Sequence, residues 1–216
     1  MNNTDNLGPG DQFKIFSSLV YIKKNLLFHD KDFESSLNDQ FTFCEGRIDA
    51  HQVGKAECTV TLENPIVYTK NFKKFLDIVA PHIMEAGLML GYKNKTGFDV
   101  LRGWSNRMYK GCKGRAHKHS SGCDSVAIYY LDAPENSADL YFLDLKQWGL
   151  LEEHVPSKFK KRIETRTGTL VIHDPDIYHA VSEHLSDIPR LVIILEIIYR
   201  NDDEQKFTTP GGKNPF

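Results

Sequence analysis

The fragment Gly111-Cys-Lys-Gly-Arg-Ala-His117-Lys-His119 places two imidazoles two residues apart. On an extended strand alternate side chains share a face, so His117 and His119 project the same way and can clamp one metal ion. Lys110, Lys113, Arg115 and Lys118 crowd the pair, and an exposed basic edge is the competing reading. A second fragment, Gly168-Thr-Leu-Val-Ile-His173-Asp-Pro-Asp-Ile-Tyr-His179-Ala-Val, reads as an apolar strand, a turn containing Pro175 and a histidine opening the next strand. A barrel built this way returns a third ligand to its mouth, and His179 is expected to complete the site. His173, ending the preceding strand, is the competitor. For His173, and for His184 on the loop side, the expected role is that of an ordinary hydrogen-bonded histidine.

Arg190 stands eleven residues after His179 and heads the apolar strand Leu191–Tyr199. A guanidinium at the head of a buried strand is costly unless an anion pairs with it, and its planar fork suits a carboxylate. A carboxylate-bearing ligand inside the barrel would supply that anion. A salt bridge to Asp187 or Glu183 would do so from within the chain.

The elements that must carry these residues fall into two parts. Between Thr69 and Leu90, Phe72, Phe75, Leu76, Val79, Ile83, Ala86 and Leu90 recur mostly at steps of three and four, which predicts a helix with one buried stripe. Pro81 is expected to kink it or to divide it at Ala80. Glu34 to Phe41 is less periodic, and Cys58-Thr-Val-Thr-Leu alternates as a strand. From Phe98 onward the pattern is one of short strands: 98–101, 115–119, 125–131, 140–143, 169–173, 178–182 and 191–199, separated by Gly, Pro, Asp and Asn. This predicts a mainly β fold with supporting α, a jelly-roll or cupin-like barrel buttressed by N-terminal helices. The chain reads as a single domain over 1–216, with a helical and strand support at 13–97, a β core at 98–200 and polar, mobile tails at 1–12 and 201–216. Trp104-Ser-Asn106 either lines the pocket or closes the barrel's end, and the second is the expectation. The basic stretch within Lys146–Arg166 has the position of a substrate-gating lid, or of a solvated helix or edge hairpin.

Composition narrows the partners. Lys and Arg total 27 against 29 Asp and Glu, so no net field favours nucleic acid or an anionic membrane. The longest apolar run, Val126–Leu131, is far too short for a bilayer span, and the first residues lack a basic region followed by an apolar stretch, so the chain is expected to be neither membrane-spanning nor secreted. Four cysteines without a Cys-x-x-Cys pair suggest reduced thiols and a cytoplasmic protein.

In order, Trp104-Ser-Asn106, Gly111, His117-x-His119, Ser125-Val-Ala-Ile-Tyr-Tyr-Leu131, Leu140-Tyr-Phe, Gly168-Thr-Leu-Val-Ile, His179-Ala-Val and Arg190 resemble the Fe(II)/2-oxoglutarate-dependent oxygenases. The similarity is to the small bacterial and phage branch related to prolyl hydroxylases and covers roughly residues 98 to 199. It implies a double-stranded β-helix that binds Fe(II) through His117, His119 and His179. It further implies 2-oxoglutarate as cosubstrate, its distal carboxylate on Arg190 with a hydrogen bond from Tyr129, Tyr130 or Tyr141. Dioxygen would be consumed, 2-oxoglutarate decarboxylated to succinate and an amino-acid side chain of a peptide or protein hydroxylated. One position departs from the pattern: the family's second ligand is a carboxylate, and here it is His119. Asp124 would restore a carboxylate if the segment after His119 folded back. The same histidines also fit a cupin-type metal dioxygenase or isomerase working without 2-oxoglutarate. The missing carboxylate is in addition compatible with a catalytically inactive binding barrel.

Overall fold

The computed structural model describes residues 11–15, 18–43, 52–59, 65–119, 122–144 and 160–201. Its strands are β1 (Asp11–Ile15), β2 (Ser18–Lys23), β3 (Thr42–Phe43), β4 (Gln52–Val53), β5 (Ala56–Cys58), β6 (Gly97–Met108), β7 (Lys113–His117), β8 (Ser125–Asp132), β9 (Leu140–Leu143), β10 (Lys160–Ile163), β11 (Leu170–His173), β12 (Tyr178–Val181) and β13 (Arg190–Arg200). Two helices, α1 (Lys31–Asn38) and α2 (Phe72–Leu90), precede β6.

Two antiparallel sheets face each other. The larger runs β1-β2-β11-β8-β13-β6-β5-β3 and the smaller β10-β9-β12-β7-β4. From β6 onward the chain crosses from one sheet to the other at every connection except β9 to β10, which is the winding of a double-stranded β-helix. The residue pattern of β8 shows why the layers hold. Val126, Ile128 and Tyr130 point between the sheets, where they meet Phe142 and Leu140 of β9 and Val192 and Ile194 of β13. Ala127, Tyr129 and Leu131 point the other way and pack beneath α2. A strand covered on both faces reads as a continuous apolar run, which explains why Ser125–Leu131 shows no polar alternation.

The buttress is an aromatic cluster. Phe75 of α2 meets Tyr129 edge-on at a centroid separation of 5.1 Å and Phe28 at 5.5 Å. Such pairs add roughly 0.5–1.5 kcal/mol beyond the area they bury. Gly87 lets α2 approach β13: a Cβ there would lie 2.6 Å from the Tyr199 ring, whose hydroxyl donates to the Ile83 carbonyl at 3.0 Å. The helix ends at Gly91, which takes the left-handed conformation at φ 106°.

Several expectations change. α2 runs unbroken through Pro81. Pro81 and Asp77 both lie on the exposed side, so the Asp77 carbonyl that loses its donor is open to water. The strand expected at 98–101 extends to Met108, because β13 pairs with it along its whole length. Residues 11–12, assigned to a tail, begin a strand, and α1 occupies the segment that showed weak periodicity. Cys58 is disulfide-bonded, while Cys112 and Cys123 are free and buried. The expectation of four reduced thiols is therefore corrected, and the inference to a reducing compartment loses that support. Within 146–166, β10 is the edge strand of the smaller sheet. Residues 145–159 and the tails 1–10 and 202–216 lie outside the described residues, as do 60–62 of the strand expected after Cys58. Among the described residues no helix is long and apolar enough to cross a membrane.

Candidate metal centre

β7 and β12 are neighbours in the smaller sheet, and their register sets His117 directly opposite His179. β7 ends at His117, so His119 is not held by the strand that was expected to carry both. Its backbone N–H instead donates to the Pro175 carbonyl in the turn before β12, at 2.9 Å. The three rings converge, with centroids 4.3 Å apart for His117 and His179, 5.5 Å for His117 and His119, and 5.2 Å for His119 and His179, the last pair parallel within 4°. One ligand nitrogen from each lies within 4.8 Å of the others. Metal–nitrogen bonds of about 2.1 Å at right angles ask for nitrogens roughly 3 Å apart, so the rings must close in on an ion to bind it.

Each ring already has an acceptor for its Nδ1 proton. His117 Nδ1 faces the Arg115 carbonyl at 2.8 Å, His179 Nδ1 the Ile177 carbonyl at 3.3 Å, and His119 Nδ1 the Glu196 carboxylate at 2.9 Å. Protonation at Nδ1 leaves three Nε2 lone pairs for a cation, the arrangement by which outer partners orient metal-binding imidazoles. Burial, with the neighbouring His117, His173 and His119, holds His179 well below the usual histidine range, in the neutral form a ligand must have.

Glu196 was missed by sequence reasoning. It points into the barrel from β13, is 1% exposed, and receives the Arg102 Nε at 2.6 Å on its second oxygen. Burial pushes its carboxyl up, but the hydrogen bonds from His119 and Arg102 outweigh this and hold it below the usual range. Its signal was present: a lone acid in the apolar run Leu191–Tyr199 must have a partner. Trp104 stacks on His119 at 5.7 Å with a 27° interplanar angle, so it lines the centre, whereas the expectation was that it closes the barrel's end.

Arg190 and Tyr130 occupy the other end of the chamber. The Arg190 guanidinium lies 4.8 Å over the Tyr130 ring and donates from Nη1 to the Met108 sulfur at 2.9 Å. No carboxylate among the described residues pairs with it: of the two internal candidates, Asp187 pairs with Lys110 and Glu183 is exposed. Buried Arg190 Nε and Tyr130 Oη have no hydrogen-bond partner. A buried guanidinium Nε without an acceptor, beside a buried phenol, fits an organic carboxylate. On β8 Tyr130 is four residues from Val126, the register partner of Glu196, or roughly 13 Å along the strand. The wall between is apolar, formed by Ile128, Ile194, Phe142 and Val171.

The other expected residues lie elsewhere. Tyr129 is on the opposite face of β8 and donates to the Leu26 carbonyl at 2.7 Å, and Tyr141 is on the opposite face of β9 from Phe142. Asp124 does not join the histidines. Its carboxylate instead accepts the Tyr199 backbone N–H at 2.7 Å. His184 is held on both nitrogens, by the Ala138 N–H and the Ile188 carbonyl. His173 gives its Nδ1 proton to the Asp174 carbonyl at 2.7 Å and packs 5.0 Å from His179, with Nε2 unpartnered.

Burial lowers the His173 pKa to about 3. Protonation is thus resisted in the folded chain and free in the unfolded one, so the unfolded state binds more protons as pH falls below about 6.5. Metal-free protein is expected to lose up to about 1.4 kcal/mol per pH unit through this residue between roughly pH 6.5 and 3. His173→Gln should flatten that part of the slope in urea melts; an unchanged slope would mean that His173 is not the group responsible.

No protein-family model and no curated protein matches the sequence. Solved structures match its fold. The 2-oxoglutarate-dependent epimerase SnoN from nogalamycin biosynthesis is 13% identical with a TM-score of 0.59, covering 91% of this chain and 87% of that one. HygX from Streptomyces hygroscopicus, with nickel and 2-oxoglutarate bound, is 11% identical with a TM-score of 0.54, over 88% and 85%. A Pseudomonas putida prolyl-4-hydroxylase is 12% identical with a TM-score of 0.50, over 84% and 92%. The fold is thus the double-stranded β-helix of the Fe(II)/2-oxoglutarate oxygenases, and in this chain it carries a three-histidine cluster.

Proposed function

We propose that this protein is an Fe(II)- and 2-oxoglutarate-dependent oxygenase that hydroxylates an amino-acid side chain of a peptide or protein. The observation that carries the reading is the pairing of two sites between the same two sheets, with apolar side chains separating them. Three imidazoles converge near Glu196, and near Met108 a buried guanidinium whose Nε lacks an acceptor lies over the Tyr130 ring. His117, His119 and His179 would hold Fe(II), leaving positions open for cosubstrate and dioxygen. Arg190 and Tyr130 would grip the distal carboxylate of 2-oxoglutarate. The bound metal would supply the oxidative decarboxylation to succinate that is coupled to substrate hydroxylation. Apolar walls keep bulk water from the reacting groups. The residue pattern and the prolyl-4-hydroxylase fold favour a side-chain substrate; the SnoN fold favours a second reading in which the substrate is a small natural product. A cupin-type reaction without 2-oxoglutarate would leave the Arg190 guanidinium buried without purpose.

Anaerobic addition of Fe(II) and 2-oxoglutarate should produce a visible metal-to-ligand charge-transfer band. Metal binding without that band would refute the cosubstrate assignment. Succinate release stimulated by proline-containing peptides supports the first substrate reading, and stimulation by small glycosides or polyketides alone supports the second.

A further inference from the structure

The three cluster histidines differ in what stands behind them. His117 and His179 give their Nδ1 protons to neutral backbone carbonyls, whereas His119 gives its proton to a buried carboxylate. His119 is also the ligand that replaces the carboxylate of the family pattern. A full negative charge therefore sits behind the one position where negative charge is missing from the ligand set.

Resting on the metal reading above, we propose that Glu196 is a positioning residue that returns this charge to the centre through His119. The carboxylate holds the Nδ1 proton, fixes the tautomer that presents Nε2, and makes the imidazole a stronger electron donor. Arg102 secures the second Glu196 oxygen from a side chain that is 54% exposed, so water screens the guanidinium charge while the carboxylate acts from a buried position. Trp104 presses on the His119 face and limits ring rotation.

The test uses the full chain, with Ni(II) affinity measured by calorimetry at fixed pH and the anaerobic Fe(II)–2-oxoglutarate band as a second readout. Glu196→Gln keeps shape and a hydrogen-bond acceptor but removes the charge. It should weaken Ni(II) binding by about 10- to 100-fold and move the band to shorter wavelength, because a less electron-rich iron gives up charge less readily. In a His119→Asp background the effect should largely vanish. There no imidazole relays the Glu196 charge to the ion, so adding Glu196→Gln should change Ni(II) affinity by much less than it does in the wild-type background. Unchanged affinity and band in Glu196→Gln, or losses of equal size in both backgrounds, would overturn the proposal. If Glu196→Gln does not fold, Glu196→Asp decides: it keeps the charge but draws the carboxylate back from His119 Nδ1, so Ni(II) binding should weaken, and wild-type affinity overturns the idea. Wild-type protein that takes up no divalent metal would instead remove the centre itself, and this inference with it.

Discussion

Arg190→Met should make the metal-free protein more stable and nearly blind to 2-oxoglutarate. Arg190 is 2% exposed, its Nε has no acceptor, and no carboxylate among the described residues pairs with it. A buried charge without a partner opposes folding, and apolar replacements of similar volume at buried charged sites are often stabilising by about 1–4 kcal/mol. Methionine can pack against Met108 and the Tyr130 ring, which the guanidinium now contacts. At about 2–4 °C per kcal/mol for a domain of this size, the apoprotein Tm should rise by several degrees. Removing one partner of a buried charge pair costs about 2–5 kcal/mol of binding, so 2-oxoglutarate affinity should fall by roughly 30-fold to several thousand-fold. Ni(II) affinity should stay within a factor of a few. Calorimetry and thermal melts on one variant check both signs. A lowered Tm with unchanged 2-oxoglutarate binding would make Arg190 a structural residue.

His179→Ala should remove high-affinity metal binding. The ring lies at the middle of the cluster, opposite His117 across the ladder and parallel to His119, so its loss opens one side of the coordination sphere. The expected loss in Ni(II) affinity exceeds the about 100-fold that marks the upper end for an outer-partner substitution. His173→Gln, at a residue with a ring 5.0 Å from His179 but outside the converging set, should cost less than about tenfold. Equal losses in the two variants would place His173 among the ligands. Each variant needs a circular dichroism spectrum matching wild type, since both rings are buried.

Part of this centre was legible before any coordinates. His117, His119 and His179 stood out because imidazoles flanking strand and turn signals are few, and Arg190 because a charge heading an apolar run calls for an anion. The tyrosines were not separable from sequence. Tyr129 and Tyr130 are adjacent on a strand buried on both faces, and with no polar alternation nothing local says which one looks into the barrel. Pairing with β13, where Tyr130 stands opposite Val192, settles it. Trp104 was misjudged for a similar reason: β6 was read as a short strand, and its full length depends on a partner almost a hundred residues away in sequence.

Sequence alone pointed to the class of fold and to the three imidazoles that the structure brings together, because side-chain periodicity and turn chemistry are local properties of the chain. Only the tertiary structure decided which carboxylate lies beside them. Asp124, close in sequence to His119, is tied to the Tyr199 backbone, whereas Glu196, 77 residues from His119, lies within hydrogen-bonding distance of its ring. The physical reason is that β-sheet neighbours are chosen by long-range register, and the alternation of side chains across β13 turns Glu196, with Val192 and Ile194, toward the space between the sheets.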